Sequence, residues 1–275
     1  MRTFAGIVTA LFAAVPVLAD APDPIRVVSY NIHHGEGTDG RVDLQRIAGV
    51  IEALAPDVVC LQEVDRGMPR TNKRDMPAEL AELLDMQPVY GPNLIRGDAH
   101  YGNLTLTRLE VEEHENIALP KAPKDKLDAE AQAREPRGAL RVRVQADKHT
   151  LDVWNTHWGL ASDERAAQGQ AMAAAIRARR NEPVIAVGDF NEERGAGLAM
   201  LESFLRCVDL GKRGSFPASE PLRMIDHIWH SESLTAMDAG ISSHPETHVA
   251  SDHLPIWAVI ALPTNNAPGE TDDAG

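Results

Sequence analysis

The chain has 275 residues, 43% hydrophobic and 25% charged, an ordinary globular composition with length enough for one large α/β domain or two small ones. Its formal charge of −14 argues against strong non-specific attachment to nucleic acid, which relies on Lys and Arg neutralising phosphates. A nuclease is not excluded, because bound divalent cations offset such repulsion locally.

Residues 1–19 read as an export signal. Arg2 gives a short positive start, an apolar stretch runs from Phe4 to Leu18, and Val17 and Ala19 occupy the small-residue positions of a cleavage site after Ala19. Cleavage would remove Arg2 and make the chain one charge more negative. An uncleaved anchor is the alternative reading. The stretch is short for a membrane span, and nothing later resembles one. A periplasmic or secreted protein is expected, with its catalytic domain over residues 24–262.

Ile25 to Tyr30 is β-branched and aromatic, as in a strand. Asp43 is placed to cap a helix whose apolar residues Leu44, Ile47, Ile51 and Leu54 recur at spacings of three and four, and Pro56 ends it. Val58 to Val64 is a second strand and Pro77 to Leu84 a second helix. Cys60 lies in the apolar run of that strand. With Cys207 as the only other cysteine, the expectation is two unpaired thiols. Leu104 to Leu106 and Leu140 to Val144 read as strands, separated by a charged, Pro-marked loop (Pro120 to Pro136) expected to be a flexible segment or lid. Strand Leu151–Thr156, an Ala-rich helix from Glu164 to Arg180, and strands Val184–Val187, Ile225–Trp229 and Pro255–Leu262 follow. Residues 263–275 are polar and acidic, as in a disordered tail. The mixture of alternating and hairpin-like runs fits a two-sheet α/β sandwich better than a purely parallel sheet.

Polar residues recur at the ends of these apolar strands. Asn31 follows one, Glu63 ends another and His157 a third. Asp189 and Asn191 terminate a fourth, Asp226 begins a fifth, and Asp252-His253 precede the last. Residues so placed converge on one rim of a sheet, where ligands bind in many α/β folds. Each alone has a bland reading: Asn31 and Asp189 as turn residues, His157 as a core histidine.

Taken together and in order, Ser29-Tyr30-Asn31-Ile32, Gln62-Glu63-Val64-Asp65, Asn155-Thr156-His157, Gly188-Asp189-Phe190-Asn191, Ile225-Asp226-His227-Ile228 and Ser251-Asp252-His253-Leu254-Pro255 resemble the endonuclease/exonuclease/phosphatase superfamily. The resemblance spans nearly the whole mature chain. It implies a four-layered α/β/β/α sandwich and a metal-dependent hydrolase of phosphate esters. Such cleavage needs charge neutralisation on the phosphoryl oxygens, an activated water and a stabilised leaving oxygen. Glu63 is the leading metal ligand, since a carboxylate suits Mg²⁺ or Mn²⁺. The resemblance assigns Asn31 and Asp252 to help hold that ion and His157 to the scissile phosphate. It pairs His253 with Asp226, a carboxylate that fixes the ring tautomer and raises its basicity.

Asp189 and Asn191 share parity on an extended backbone and are expected to face one side, one orienting water and the other contacting phosphoryl. Whether Asp189 or His253 removes the proton stays open. Tyr101-Gly102-Asn103 and Arg134-Glu135-Pro136-Arg137-Gly138 also resemble segments of the family, which makes Asn103 a support for His157 or a contact to phosphate, with a structural turn as the alternative, and Arg137 a candidate phosphate contact. His33 and His34 stand beside Asn31 and are suited to a softer metal such as Zn²⁺, but their spacing is not that of a dedicated zinc site.

The expected substrate is a phosphate ester, most plainly a phosphodiester, from a lipid head group, a nucleic acid or a small metabolite. A nuclease and a sphingomyelinase-like lipase are the alternatives within the enzymes. A catalytically silent secreted binding protein is the alternative outside them. The chain shows no basic, aromatic-interleaved stretch for tracking a nucleic-acid backbone. Arg177, Arg179 and Arg180 end a helix, where they complement its dipole. No stable nucleic-acid complex is expected, and monomer is the default.

Overall fold

The computed structural model describes residues 22–121, 134–179 and 183–263. The expected export signal, most of the segment from Pro120 to Pro136 and nearly all of the acidic tail lie outside the described residues.

In chain order the strands are β1 (Ile25–Asn31), β2 (Val58–Arg66), β3 (Gln87–Arg96), β4 (Ala99–Thr107), β5 (Glu110–Ala118), β6 (Gly138–Ala146), β7 (His149–His157), β8 (Val184–Asp189), β9 (Arg206–Cys207), β10 (Asp226–His230), β11 (Thr235–Ile241) and β12 (Ile256–Ala261). They form two six-stranded sheets, ordered β11-β12-β1-β2-β4-β3 and β5-β6-β7-β8-β10-β9. Each sheet is mixed: β1 runs parallel to β2 and antiparallel to β12, and β7 runs parallel to β8, which pairs antiparallel with β10.

The helices are α1 (Leu44–Glu52), α2 (Met76–Leu84), α3 (Ser162–Arg177), α4 (Ala196–Glu202) and the short α5 (Thr247–Ala250). Asp43 caps α1 by accepting from Arg46 N at 3.1 Å, as its sequence position suggested. Asp75 caps α2 in the same way, accepting from Ala78 N at 3.2 Å.

Period-two alternation builds the layers. Ile25 and Val27 of β1, Leu151 and Val153 of β7, Ile185 and Val187 of β8, and Ile256, Ala258 and Ile260 of β12 point into the space between the sheets. The opposite faces carry Val28 and Tyr30, which pack under α1 and α2, and Trp154, Val184 and Ala186, which pack under α3 and α4. The result is the expected α/β/β/α sandwich.

The strands that the sequence pattern did not reveal are the four sheet edges, β3, β5, β9 and β11. β5 is Glu-rich and mostly exposed, and β3 carries Pro88 and Pro92. Charge and proline on an edge block pairing with another chain, and they erase the alternation by which a strand is recognised. Cys60 and Cys207 are both free thiols. Burial pushes the Cys60 thiol up to about 12, which leaves it chemically inert.

Candidate active site

The ends of β1, β7 and β8 and the start of β10 come to one rim of the sandwich. There they meet the bulged segment of β2 and the loop before β12. A cleft of about 760 Å³ opens at this rim, lined by Glu63, Arg137, His157, Asp189, Asn191, Asp252 and His253 among others. That volume is in the range of small-molecule sites. Asn31 and Asp226 lie just beneath, bonded to residues of the lining.

Asp189 is the hub. Its Oδ2 accepts from Asn31 Nδ2 at 3.0 Å and lies 3.4 Å from His157 Nε2 and 3.6 Å from His253 Nε2. Its Oδ1 accepts from Asn191 N at 2.8 Å. Burial pushes this carboxyl up to about 7; the nearby His253 opposes the rise and Asp226 adds to it. Gly188 precedes it with φ of 149°, and a Cβ there would stand 1.9 Å from Thr156 O. Only glycine lets β8 lie this close to β7.

His253 donates through Nδ1 to Asp226 Oδ2 at 2.9 Å. The same oxygen accepts from Ser215 Oγ at 2.6 Å. Burial alone would lower the pKa of this ring, but the carboxylates of Asp226 and Asp189 outweigh it and raise it to about 10. His253 is therefore an imidazolium at neutral pH. Phe216 covers it at 4.7 Å between ring centroids.

His157 has the opposite character. Burial, the Arg137 guanidinium and His253 together hold its pKa well below the ordinary histidine value. Arg137 Nη1 donates to His157 Nδ1 at 2.9 Å. A guanidinium cannot accept, so Nδ1 is the bare nitrogen and Nε2 carries the proton, on the side of Asp189 and the cleft. The Asn191 amide nitrogen, 3.1 Å from Nε2, donates to Trp158 O at 3.0 Å.

Glu63 owes its direction to a β-bulge. The β2–β4 register passes from Leu61↔Leu104 to Val64↔Gly102, so Gln62 and Glu63 together oppose Asn103. Glu63 has φ of 61°, and its Oε1 accepts from Asn31 Nδ2 at 3.1 Å. Gln62 turns inward and donates to Asn155 Oδ1 at 2.8 Å, while Asn155 Nδ2 donates to the carbonyls of Leu61 and Leu104 at 3.1 and 3.0 Å. This buried network ties the two sheets together directly below the cleft.

Several expectations are corrected. Glu63 does not end its strand, since β2 continues to Arg66. Asn191 is not on an extended backbone: its φ of 50° turns it back, and that turn, not parity, brings it beside His157. Asn103 lies in β4 and not in a turn. It does not line the cleft, and its amide donates to Gly138 O at 3.1 Å and Asn155 O at 3.3 Å, so it braces the wall and is not placed to contact a substrate. Asn31 Oδ1 already accepts from His33 N at 3.1 Å, and its amide holds both Glu63 and Asp189, so it positions carboxylates first. Helix α3 ends at Arg177, ahead of Arg179, whose Nη1 donates to Ala175 O at 3.0 Å; Arg180 lies outside the described residues.

Sequence reasoning missed Ser215, Phe216, Gln62, Asn155, Tyr101 and Arg70 as parts of the site or its support. Arg70 lines the cleft, grips Asp65 through Nε and Nη2 at 2.8 and 2.7 Å, and covers the Tyr101 ring. Asn155 did carry a signal. It sits at the inward parity of Leu151 and Val153, where a polar residue must find buried partners.

Glu63 and Asp252 give the cleft two carboxylates, the oxygen donors that a hard divalent ion needs. The buried group of Asp189, Asp226 and His253 also has close ligand atoms, but these are already engaged with one another.

Residues 28–253 match the model of the Endonuclease/Exonuclease/phosphatase family. The chain is 28% identical over 260 residues to the uncharacterized protein YbhP of Escherichia coli K12, covering 86% of this chain and 96% of that one. Among solved structures, an endonuclease/exonuclease/phosphatase from Beutenbergia cavernae aligns with a TM-score of 0.72 at 24% identity, over 88% of this chain and 72% of that one. The human nocturnin catalytic domain with bound sulfate aligns at 0.67 and 20% identity, over 88% and 97%.

Proposed function

Because this chain belongs to the endonuclease/exonuclease/phosphatase family, whose members are generally metal-dependent hydrolases of phosphate esters, we propose that it is an exported phosphodiesterase using Mg²⁺ or Mn²⁺. The observation that carries the reading is the arrangement around one carboxylate. Asp189 lies between the Nε2 atoms of a neutral His157 and a cationic His253, and Asn31 links it to Glu63.

Glu63 and Asp252 would hold the ion, with Asn31 fixing the Glu63 carboxylate. When bound, the ion would neutralise charge on the phosphoryl oxygens. Asp189 takes the proton of the attacking water; its raised pKa suits a base working near neutrality. His253, charged by its two carboxylate neighbours, steadies the negative phosphoryl oxygens and is a poor candidate for the base. His157 presents its Nε2 proton to the phosphoryl group, an orientation fixed by Arg137 behind it. Of the two candidate bases, Asp189 and His253, the proposed mechanism assigns the role to Asp189.

Arg134 and Arg137, which line the cleft, favour an anionic substrate. A cleft of this size within an acidic chain favours a small phosphodiester over long nucleic acid. Export rests on the N-terminal leader pattern. The test is turnover of an aryl phosphodiester and the matching monoester by purified protein with Mg²⁺ or Mn²⁺. Diester cleavage that stops with chelator and in Glu63→Ala is expected. Cleavage that persists undiminished in either would refute the metal assignment, and an inert wild-type protein across DNA, RNA, sphingomyelin, phosphoinositide and aryl substrates would favour a binding protein.

A further inference from the structure

The turn after β1 carries two adjacent histidines that the proposed reaction does not use. His33 and His34 both have φ of 44°, an uncommon backbone for non-glycine residues. It sets their rings 4.4 Å apart at 64°, both facing the cleft. One nitrogen of each ring is tied to Glu36. His33 Nδ1 lies 3.2 Å from Glu36 O, and His34 Nε2 lies 3.3 Å from Glu36 Oε2. A carbonyl and a carboxylate only accept, so each tied nitrogen carries the proton, and the bare lone pairs belong to His33 Nε2 and His34 Nδ1.

His34 is 8% exposed, and its Nδ1 has no hydrogen-bond partner. A buried acceptor left in this way costs stability unless something fills it. The imidazole ligands of metal ions are held in this manner, with the second nitrogen donating to a carboxylate or a backbone carbonyl. One ligand atom each from His33, His34 and Glu63 lies within 4.8 Å of the other two. Glu63 Oε1 is bonded to Asn31, and Oε2 carries no hydrogen bond among the described residues. The neighbouring cation Arg70 is neutralised by its two-point pairing with Asp65.

We propose that His33, His34 and Glu63 form a second metal position, one that takes a divalent transition ion of the zinc class beside the all-oxygen position of Glu63 and Asp252. Two imidazoles and one carboxylate suit Zn²⁺ and leave a coordination place for water or substrate. The same nitrogen donors are a poor match for Mg²⁺, which prefers oxygen. Regular zinc-ligand spacings are absent from the sequence because adjacent histidines converge only on this left-handed turn. The inference concerns ion binding and does not depend on the phosphodiesterase reading.

The test uses the full chain, stripped with chelator and dialysed against Zn²⁺ or Co²⁺ in excess Mg²⁺. Wild type is expected to retain one equivalent of transition metal. His33→Gln and His34→Gln are each expected to weaken its binding at least about tenfold, while Asp252→Asn keeps it. In wild type, the ring resonances of His33 and His34 should shift with Zn²⁺ and not with Mg²⁺, a readout that does not depend on the variants folding. Retention unchanged in both histidine variants would overturn the proposal. So would metal-induced shifts confined to His157 and His253, or no retention above the Mg²⁺ background.

Discussion

Replacing Asp226 with Asn tests the charge assignment of the centre most directly. The change is nearly isosteric and removes one negative charge 2.9 Å from His253 Nδ1. At an effective dielectric of about 20, two unit charges at that distance interact by about 6 kcal/mol. Loss of the charge is partly offset by the amide dipole and by Asp189, which remains 3.6 Å from Nε2. Removal of a close carboxylate typically moves a pKa by about 1–3 units. The Coulomb figure puts this pair at the upper end of that range, so His253 is expected to fall from about 10 to about 7–8.

At pH 8 the wild-type ring is an imidazolium and the variant ring is at least half neutral, so kcat/KM for an aryl diester should drop about two- to tenfold, equivalent to about 0.4–1.4 kcal/mol. The deficit relative to wild type should shrink towards pH 6, where the variant ring regains its proton. The linkage has a matching sign. The folded pKa is raised, so the stability His253 contributes is complete below its unfolded value and is lost as pH rises through about 10. Nitrogen-detected titration of the ring in metal-free protein reads the pKa, and steady-state rates across pH read the consequence. A His253 pKa within half a unit of wild type, or a wild-type rate at pH 8, would refute the assignment.

Three further substitutions probe the supports. Arg137→Met removes the donor that fixes the His157 tautomer; nitrogen shifts of the ring should report loss of the single Nε2–H form, and kcat should fall at least about tenfold. A ring that keeps the wild-type tautomer would contradict that role. Asn155→Leu removes one of the three acceptors of Gln62 Nε2 and the side-chain donor to the carbonyls of Leu61 and Leu104. Urea denaturation should show a loss of about 2–4 kcal/mol, and a loss below about half a kcal/mol would mean that the network does not staple the sheets. Gly188→Ala forces a methyl against Thr156 O. A loss of more than about 2 kcal/mol is expected, and a wild-type denaturation midpoint would show that β8 can move away from β7.

The interior of this fold was legible because its strands repeat apolar residues at period two and its first helices carry Asp caps and prolines. The edges were not legible. β5, with its run of glutamates, and β3, with Pro88 and Pro92, are held by main-chain pairing to β6 and β4, and that pairing leaves no side-chain pattern. In the site, Asp189, His253 and Asp226 could be named from motif order, but their proton states could not. Those depend on Asp189 being reached by two imidazoles from different strands and loops, a relation between residues 157, 189 and 253 that no local window contains.

The Gln62-Glu63 pair shows most sharply how geometry exceeds motif. On a regular strand, adjacent residues face opposite sides, so one of the two would point into the sheet interface and the other under α1 and α2. Neither position opens on the cleft. The bulge opposite Asn103 separates these fates: Gln62 keeps the inward direction and joins the Asn155 network, while the left-handed turn at Glu63 lifts its carboxylate to Asn31 and the cleft. Asn103 clamps the opposing strand to Gly138 and Asn155, so it holds the bulge from behind. It follows that Asn103, though not among the residues lining the cleft, governs where the Glu63 carboxylate, the proposed metal ligand, sits. Asn103→Ala should therefore weaken Mg²⁺ or Mn²⁺ affinity by about 10–100-fold, the scale seen when an outer partner of a ligand is lost. Direct titration of the metal into the folded variant would detect this, and unchanged affinity would mean that the bulge holds Glu63 in place without its clamp.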